Sequence, residues 1–191
     1  MQQLNRANAE IGTTYPEVIL QFGGGNFLRA FTDWIIDVYN EKNNTQIGIL
    51  VATTTERKGY TDWNGQDGLY HLITKGIDNG EIIDETRLIK SVSRVISMEP
   101  NWDDFLKTAE NPDTRYVISN TTEAGIRFNP DDKWGNTAPS EFPAKLTLWL
   151  YRRYQFFGGK SKAGCVFLPV ELINDNGDAL RNCLLRYCEH W

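Results

Sequence analysis

Apolar residues along this chain form short runs typical of strands, and elsewhere recur at spacings typical of helices. Residues 18–22, VILQF, are apolar and partly β-branched, which predicts a short buried strand. Three glycines follow and leave the backbone without side chains, so that it can turn sharply and a ligand can approach it closely. Beyond them, helical spacing predicts a helix ending near Asn40, with an apolar side made of Phe27, Leu28, Ala30, Phe31, Trp34, Ile35 and Val38.

The rest of the chain continues this alternation of strands and helices. Further strands are predicted at residues 47–52, 116–118 and 164–170, the last one buried. Further helices are predicted from Asn101, from Phe142 to a stop at Gly158, and over residues 178–191. We therefore predict an α/β fold, a Rossmann-type doubly wound, mostly parallel sheet with helices on both faces.

An antiparallel insertion is predicted within this fold. Residues 69–77 and 81–84 flank Asp78-Asn79-Gly80, a strong hairpin signal, and strand-like alternation continues over residues 87–98. Residues 59–68 are rich in Gly, Asp and Asn and predict a long loop. We expect the insertion to extend the edge of the main sheet and to cover it.

Strand, glycine turn and helix together are typical of the first unit of a nucleotide-binding domain. The free N–H groups and the dipole of a helix N-terminus favour an anion such as a pyrophosphate. The dinucleotide fingerprint expects a glycine or alanine where this chain has Leu28, so a turn that only reverses the chain remains an alternative. The predicted cofactor contacts are Phe22, Gly23, Gly24, Gly25, Asn26, Phe27, Leu28, Arg29 and Ala30.

A second candidate segment follows the strand at residues 116–118. Asn120, Thr121, Thr122 and Glu123 carry short polar side chains that can bond ribose hydroxyls or a carboxamide. Ligands of doubly wound sheets lie beyond the carboxyl ends of the strands, which is where this segment is expected. The alternative is an Asx or Ser/Thr turn that satisfies only its own backbone.

Five segments of the sequence resemble the mannitol dehydrogenase family of long-chain dehydrogenases. They are G-x-G-x-F-x-R-A from Gly23, DGLYHLITKG at 67–76, SNTTEAGI at 119–126, FPAKLT at 142–147 and ELINDNGDALR at 171–181. The resemblance covers nearly the whole chain. It implies one NAD(P)-binding domain over residues 1–191 and hydride transfer between a nicotinamide cofactor and a polyol or sugar acid.

The resemblance also implies roles for individual residues. Thr121, Thr122 and Glu123 match the family's T-x-T-E segment, although a register that begins on Asn120 is equally consistent. The family's C-D-N-x-x-x-N-G loop corresponds to a segment near the nicotinamide and substrate, in which Glu171 replaces the acid and Leu172 the asparagine, while Asn174 and Asn176 supply amides. An ordinary turn is the alternative for Asn176-Gly177.

Cofactor choice is not decided by the residues at the end of the second strand. A carboxylate there would bind the adenosine ribose of NAD, but the chain has Thr53, Thr54 and Thr55, then Glu56 and Arg57. Arg57 could favour the phosphate of NADP, whereas the resemblance implies NAD. The family's proton-transferring lysine belongs to a helical C-terminal domain, which is missing from residues 1–191, so no catalytic residue is assigned within them.

The composition of the chain narrows the classes of partner and the kinds of site that are expected. A net charge of −5 with no basic block disfavours nucleic acid and anionic membranes. Three scattered cysteines and two isolated histidines predict neither disulfides nor a metal site. The polar first 17 residues predict a cytoplasmic protein. Arg152 and Arg153 are expected on a solvated face at the end of their helix.

Two other classes of function compete with an oxidoreductase. One is a non-catalytic nucleotide-binding module that retains the cofactor site alone. The other is a methyltransferase-like domain, which Thr53, Thr54 and Thr55 disfavour because such domains have an acid at this strand end. The identity of the polyol or hexuronate and the oligomeric state are left open by the sequence.

Overall fold

The main sheet has five strands, all parallel, in a computed structural model that describes residues 3–54, 63–122 and 124–191. The spatial order is β5-β2-β1-β6-β7. The strands are β1 Glu17–Phe22, β2 Gly48–Thr53, β5 Val92–Ser97, β6 Tyr116–Ser119 and β7 Val166–Pro169. The predicted Rossmann-type architecture is confirmed.

Helices cover both faces of this sheet. Leu20 and Phe22 of β1 pack on one face against helices that follow β5, β6 and β7. Ile19 points to the other face, where it packs with Leu28 and Trp63. The α-helices are α1 Asn26–Ala30, α2 Thr32–Asn43, α3 Trp102–Lys107, α4 Phe142–Phe157 and α5 Asn176–His190, and 3-10 turns lie at Thr108–Glu110 and Ser161–Ala163.

The predicted insertion is smaller than expected and forms a sheet of its own. Strands β3 Tyr70–Asp78 and β4 Glu81–Ile89 pair antiparallel around the predicted turn and form a separate two-stranded sheet. The expectation that residues 87–98 continue the insertion is wrong for β5, which pairs parallel to β2. Alternation marks a strand but carries no information on the direction of pairing. The predicted loop at 59–68 falls partly outside the described residues.

The helix after the glycines differs from its prediction in two ways. It is interrupted at Phe31, where φ is −114° and ψ is −76°. On the side that was predicted to be apolar and buried, Phe27, Phe31, Trp34 and Ile35 are between 40% and 49% exposed. The residues of α2 that are buried are Thr32, Asp33, Asp37 and Asn40. The surrounding elements supply their polar partners, which the sequence pattern of one helix cannot reveal.

Two further expectations about burial are wrong, because burial depends on parts of the chain that are distant in sequence. β7 is an edge strand, and its Val166 and Leu168 are about half exposed rather than buried. Arg153 is buried instead of solvated, and it donates hydrogen bonds to the carbonyl oxygens of Ala109, Asn111, Thr114 and Ala163. Only its neighbour Arg152 lies at the surface, where it pairs with Glu110.

Candidate functional site

A cavity of about 450 Å³ lies at the carboxyl ends of four parallel strands. The chain leaves β1 toward one face of the sheet and β6 toward the other, so the cavity sits at the point where the strand order reverses. Its lining consists of Phe22, Gly23, Gly24, Gly25, Ala52, Thr53, Thr54, Met98, Asn120, Thr121, Thr122, Gly125, Ser140, Glu141 and Phe142.

The glycine turn forms one wall of this cavity. Gly23 has a φ of +108°, which disfavours any residue with a side chain, and a Cβ there would approach the carbonyl oxygen of Asn120 to 3.3 Å. Gly25 has an ordinary extended backbone, with a φ of −72°. A Cβ on Gly25 would meet no atom within 4 Å. The glycine at position 25 therefore keeps space open rather than relieving backbone strain.

Two side chains hold the carbonyl groups of this turn. The Nε2 of Gln21 donates to the carbonyl oxygen of Gly23 at 3.1 Å, and the Nε of Arg29 donates to that of Gly24 at 2.9 Å. The guanidinium of Arg29 also lies over the ring of Trp63, 4.2 Å from its centre. These bonds fix the orientation of the turn's peptide groups next to the first turn of α1, whose amides have no acceptor within the helix.

The predicted contacts at residues 22–30 divide into lining and supporting residues. Phe22, Gly23, Gly24 and Gly25 line the cavity, but Asn26, Phe27, Leu28, Arg29 and Ala30 do not. Leu28 is buried below the turn, Arg29 lies behind it, and Phe27 stacks on Phe31 at the surface. Asn26 and Ala30 are exposed. Residues 26–30 thus support the site through the position of α1.

The predicted loop after β6 forms the opposite wall. Asn120, Thr121 and Thr122 line the cavity, whereas Glu123 lies outside the described residues. The Nδ2 of Asn120 donates to the carbonyl oxygen of Val170 at 2.8 Å, which ties this loop to the end of β7. The turn closes with a bond from the Gly125 amide to the Thr122 carbonyl oxygen at 2.7 Å.

The predicted loop after β7 contributes one buried carboxylate. Glu171 is 3% exposed, and its Oε1 accepts bonds from the amide and the hydroxyl of Thr121. Its Oε2 is buried and has no hydrogen-bond partner among the described residues. Asn176 uses its Nδ2 on the carbonyl oxygens of Pro169 and Glu171, while Asn174 is exposed and Leu172 is 85% exposed.

A third wall of the cavity escaped the sequence reasoning. Ser140, Glu141 and Phe142 precede or begin α4, and the ring of Phe142 packs against Phe22 with centres 4.9 Å apart. Glu141 pairs with Arg127 at 2.7 Å. The sequence did contain a signal for this wall. Phe142-Pro143 begins the helix that follows β6, and the carboxyl end of β6 already carried candidate residues. Helix starts and strand ends meet at this edge of the fold.

A buried carboxylate anchors this third wall. Asp132 accepts bonds from the amide and hydroxyl of Ser140, from the amide of Glu141 and from the hydroxyl of Tyr187. Burial acts to raise the pKa of Asp132, but these donors outweigh it and hold the pKa below its ordinary value. The Nζ of Lys145 donates to the Ser140 carbonyl oxygen at 2.7 Å, and burial lowers the pKa of this lysine.

Charge and metal-binding capacity at the site are low. Glu141 is the one charged residue among the described residues that line the cavity. Across residues 3–54, 63–122 and 124–191, no three His, Cys, Asp or Glu side chains are grouped so that they could hold a metal ion. The helices in this part of the chain are also too short or too polar to cross a membrane.

Three proteins named altronate oxidoreductase are similar to the chain along its full length. They come from Enterobacter sp. (strain 638), Escherichia coli O7:K1 (strain IAI39 / ExPEC) and Shigella sonnei (strain Ss046), and each is 46% identical over 192 residues. The match covers 100% of this chain and 40% of each relative. The chain therefore spans less than half the length of these curated relatives.

Solved structures share the fold at much lower identity. A Pseudomonas fluorescens mannitol 2-dehydrogenase, solved as a ternary complex with NAD and D-mannitol, has a TM-score of 0.79 and 20% identity, covering 99% of this chain and 42% of its own. A D-sorbitol dehydrogenase in substrate-free form has a TM-score of 0.76 and 19% identity, with coverages of 98% and 43%. Residues 17–190 match the family described as the mannitol dehydrogenase Rossmann domain, and the chain belongs to that family.

Proposed function

We propose that this chain is the NAD-binding domain of a hexuronate oxidoreductase that interconverts D-altronate and D-tagaturonate by hydride transfer. The observation that carries the proposal is the cavity at the reversal of strand order, with glycine backbone on one side and short polar side chains on the other. The substrate class is supported by the 46% identity to altronate oxidoreductases.

The residues present are compatible with a bound dinucleotide. The open space at Gly25 is where a side chain would obstruct a pyrophosphate, and the peptide groups of Gly23 and Gly24 are held in one orientation. We assign the pyrophosphate to this turn and the nicotinamide riboside to Asn120, Thr121 and Thr122. When bound, NAD supplies the hydride acceptor for a secondary alcohol.

The chain's own residues position the part of the cavity that receives the nicotinamide end of the cofactor. Glu171 holds Thr121 through two hydrogen bonds and so fixes the position of this threonine in the wall of the cavity. We propose that Asn174 and Asn176 lie near the substrate. The side-chain amide of Asn176 is used on the backbone carbonyl groups of Pro169 and Glu171, so this residue acts by holding the loop in place. Each of these roles is positional and none removes a proton.

We further propose that residues 1–191 bind the cofactor without turning over substrate. Oxidation of an alcohol requires a base positioned at the hydroxyl group. Within the described part of the chain, the cavity lining contains no lysine or histidine, and its one carboxylate, Glu141, is paired with Arg127. The base is proposed to be the lysine of a helical domain, in line with the resemblance to the family.

The cofactor specificity is proposed to favour NAD over NADP. The adenosine end is assigned to the carboxyl end of β2, where Thr53 and Thr54 line the cavity, while Arg57 lies outside the described residues. Fluorescence titration with NADH and NADPH tests this assignment. Tighter binding of NADPH would overturn it, and Arg57→Ala would then lower the affinity for NADPH selectively.

A fusion protein tests the proposed reaction. The 191 residues are joined to the part of the Escherichia coli O7:K1 altronate oxidoreductase that follows the matched segment, and NADH consumption is measured with D-tagaturonate and with D-fructuronate. We expect turnover of D-tagaturonate by the fusion and none by the 191 residues alone. Preference for D-fructuronate would assign the epimeric acid instead. NADH binding by the chain without turnover by the fusion would favour a non-catalytic nucleotide-binding module.

The proposed compartment is the cytoplasm. All three cysteines of the chain, Cys165, Cys183 and Cys188, are free thiols, and Cys188 is exposed. Free exposed thiols suit a reducing compartment, where disulfides are rare. Proposed partners are a small sugar acid and a helical domain of the same enzyme, and neither nucleic acid nor membrane is proposed.

A further inference from the structure

A polar cluster with a fully buried centre lies behind the glycine turn and does not line the cavity. Gln21 of β1 and Asp33 of α2 are both 0% exposed. Tyr70 of β3 reaches the same cluster, with its hydroxyl oxygen 3.0 Å from the Oδ2 of Asp33 and 2.8 Å from the carbonyl oxygen of Arg29. Gln21 and Arg29 are the two residues that hold the carbonyl groups of the turn.

The cluster has too few hydrogens if Asp33 is ionised. The hydroxyl of Tyr70 has one hydrogen but faces two acceptors, the Asp33 carboxyl and the Arg29 carbonyl. Two more buried acceptor atoms, the Oδ1 of Asp33 and the Oε1 of Gln21, have no donor among the described residues. A proton on the Oδ2 of Asp33 resolves the conflict at Tyr70: Asp33 then donates to the Tyr70 hydroxyl, and Tyr70 donates to the Arg29 carbonyl oxygen.

We propose that Asp33 is a positioning residue for the glycine turn and that it acts as a neutral acid. The inference rests on the proposed function, since it treats the turn as the binding site of the dinucleotide. In the neutral cluster, Tyr70 supports the carbonyl of Arg29, whose side chain holds Gly24. Ionised Asp33 would draw the Tyr70 hydrogen to itself and attract the Arg29 guanidinium away from Gly24.

The environment of the Asp33 side chain favours the neutral form of its carboxyl group. Burial raises the pKa of Asp33 to about 7, while Tyr70, Gln21 and Arg29 act in the opposite direction and only reduce the rise. Burial and the neighbouring Asp33 carboxyl raise the pKa of Tyr70, so Tyr70 keeps its hydrogen.

The other groups around the cluster do not neutralise a charge on Asp33. Asp37, one turn further along α2, is engaged by Arg87 of β4 at 2.7 Å. Ser91 donates to the backbone carbonyl oxygen of Asp33, not to its carboxyl group.

The experiment compares NADH affinity at pH 6 and pH 8.5 in the unmodified chain and in Asp33→Asn. We expect affinity of the unmodified chain to fall about tenfold at the higher pH, as expected for loss of one hydrogen bond. In Asp33→Asn the pH dependence should disappear, because its amide donates at every pH. His71→Gln is the matched control, since it removes the histidine that directly follows Tyr70 in the chain; it should keep the pH dependence.

A second measurement separates this inference from the proposed function. Infrared difference spectra report the C=O stretch of a protonated carboxyl group without any cofactor, and we expect a band at pH 6 that is absent at pH 8.5 and in Asp33→Asn. Absence of that band at pH 6, or NADH binding independent of pH in the unmodified chain, would overturn the inference alone. Failure to bind NADH at both pH values would overturn the proposed function and the positioning role together.

Discussion

Thr121 and Glu171 are joined by two hydrogen bonds, since the amide and the hydroxyl of Thr121 both donate to the Oε1 of Glu171, at 3.1 Å and 3.3 Å. The bonds connect the loop after β6 to the loop after β7 across 50 residues of sequence. The Asn120 side chain makes a parallel link to the Val170 carbonyl oxygen. The loop after β7 therefore supports the loop after β6, which lines the cavity, through three hydrogen bonds.

The Glu171 carboxylate can be tested through its support of Thr121. We expect Glu171→Ala to weaken NADH binding about tenfold, because the Thr121 amide loses its acceptor at a part-buried position. Glu171→Gln should lose less affinity, because its amide oxygen can still accept these bonds. Isothermal titration calorimetry measures both affinities, with Glu189→Ala, an exposed carboxylate in the last turn of α5, as the control. Unchanged affinity in Glu171→Ala would contradict a supporting role.

Gly25→Val should block the dinucleotide while leaving the domain folded. The backbone at residue 25 is extended and accepts a β-branched residue, and the side chain would project into empty space rather than into protein atoms. Gly76→Val is the matched control, because a Cβ there also meets no atom within 4 Å and the position lies on the exposed strand β3. Both variants should keep the circular dichroism spectrum, and only Gly25→Val should lose NADH binding. Equal NADH affinity of the two variants would show that the pyrophosphate does not bind at this turn.

The adjacent arginines of α4 should differ strongly in their contribution to stability. Arg153→Ala removes four hydrogen bonds to carbonyl oxygens, of which those to Ala109 and Thr114 are buried, and we expect the free energy of unfolding to fall by about 3 kcal/mol or more. Arg152→Ala removes a surface pair with Glu110 and should cost less than about 1 kcal/mol. Urea denaturation followed by fluorescence measures both. Similar losses in the two variants would argue against the buried role of Arg153.

Asp33 should make the stability of the domain depend on pH. Its pKa rises from 3.8 in the unfolded chain to about 7 in the folded protein because of burial. Between these two pH values the folded state binds the proton more tightly, so the free energy of unfolding falls as the pH rises. Asp33→Asn lacks this contribution. The difference in the free energy of unfolding between the unmodified chain and Asp33→Asn should therefore change by about 2 to 4 kcal/mol from pH 4 to pH 7.

The test is a series of urea denaturation curves at pH 4, 5, 6 and 7 for both proteins. Asp37→Asn is the control, because Asp37 lies one turn away on the same helix but pairs with Arg87. The Asp37→Asn variant retains Asp33, so its free energy of unfolding should still show the fall with rising pH that Asp33 causes. A constant difference between Asp33→Asn and the unmodified chain over the whole series would show that Asp33 is ionised in the folded protein.

The sequence by itself determined the features that depend on neighbouring residues in the chain. The strand at residues 18–22, the glycine turn after it and the hairpin turn at Asn79-Gly80 were all predictable, because backbone freedom and side-chain alternation act over a few residues. The rule that ligands lie at the carboxyl ends of parallel strands then also identified Asn120, Thr121 and Thr122 as lining residues.

Tertiary structure decided the features that depend on residues far apart in the chain. α2 buries Asp33 and Asp37 because Tyr70, Arg87 and the Lys90 amide meet them from the hairpin and its connection to β5. The wall at residues 140–142 and the burial of Arg153 have the same origin. A polar side chain is stable in the interior only when distant parts of the chain supply its partners, and hydrophobic periodicity contains no information about those partners.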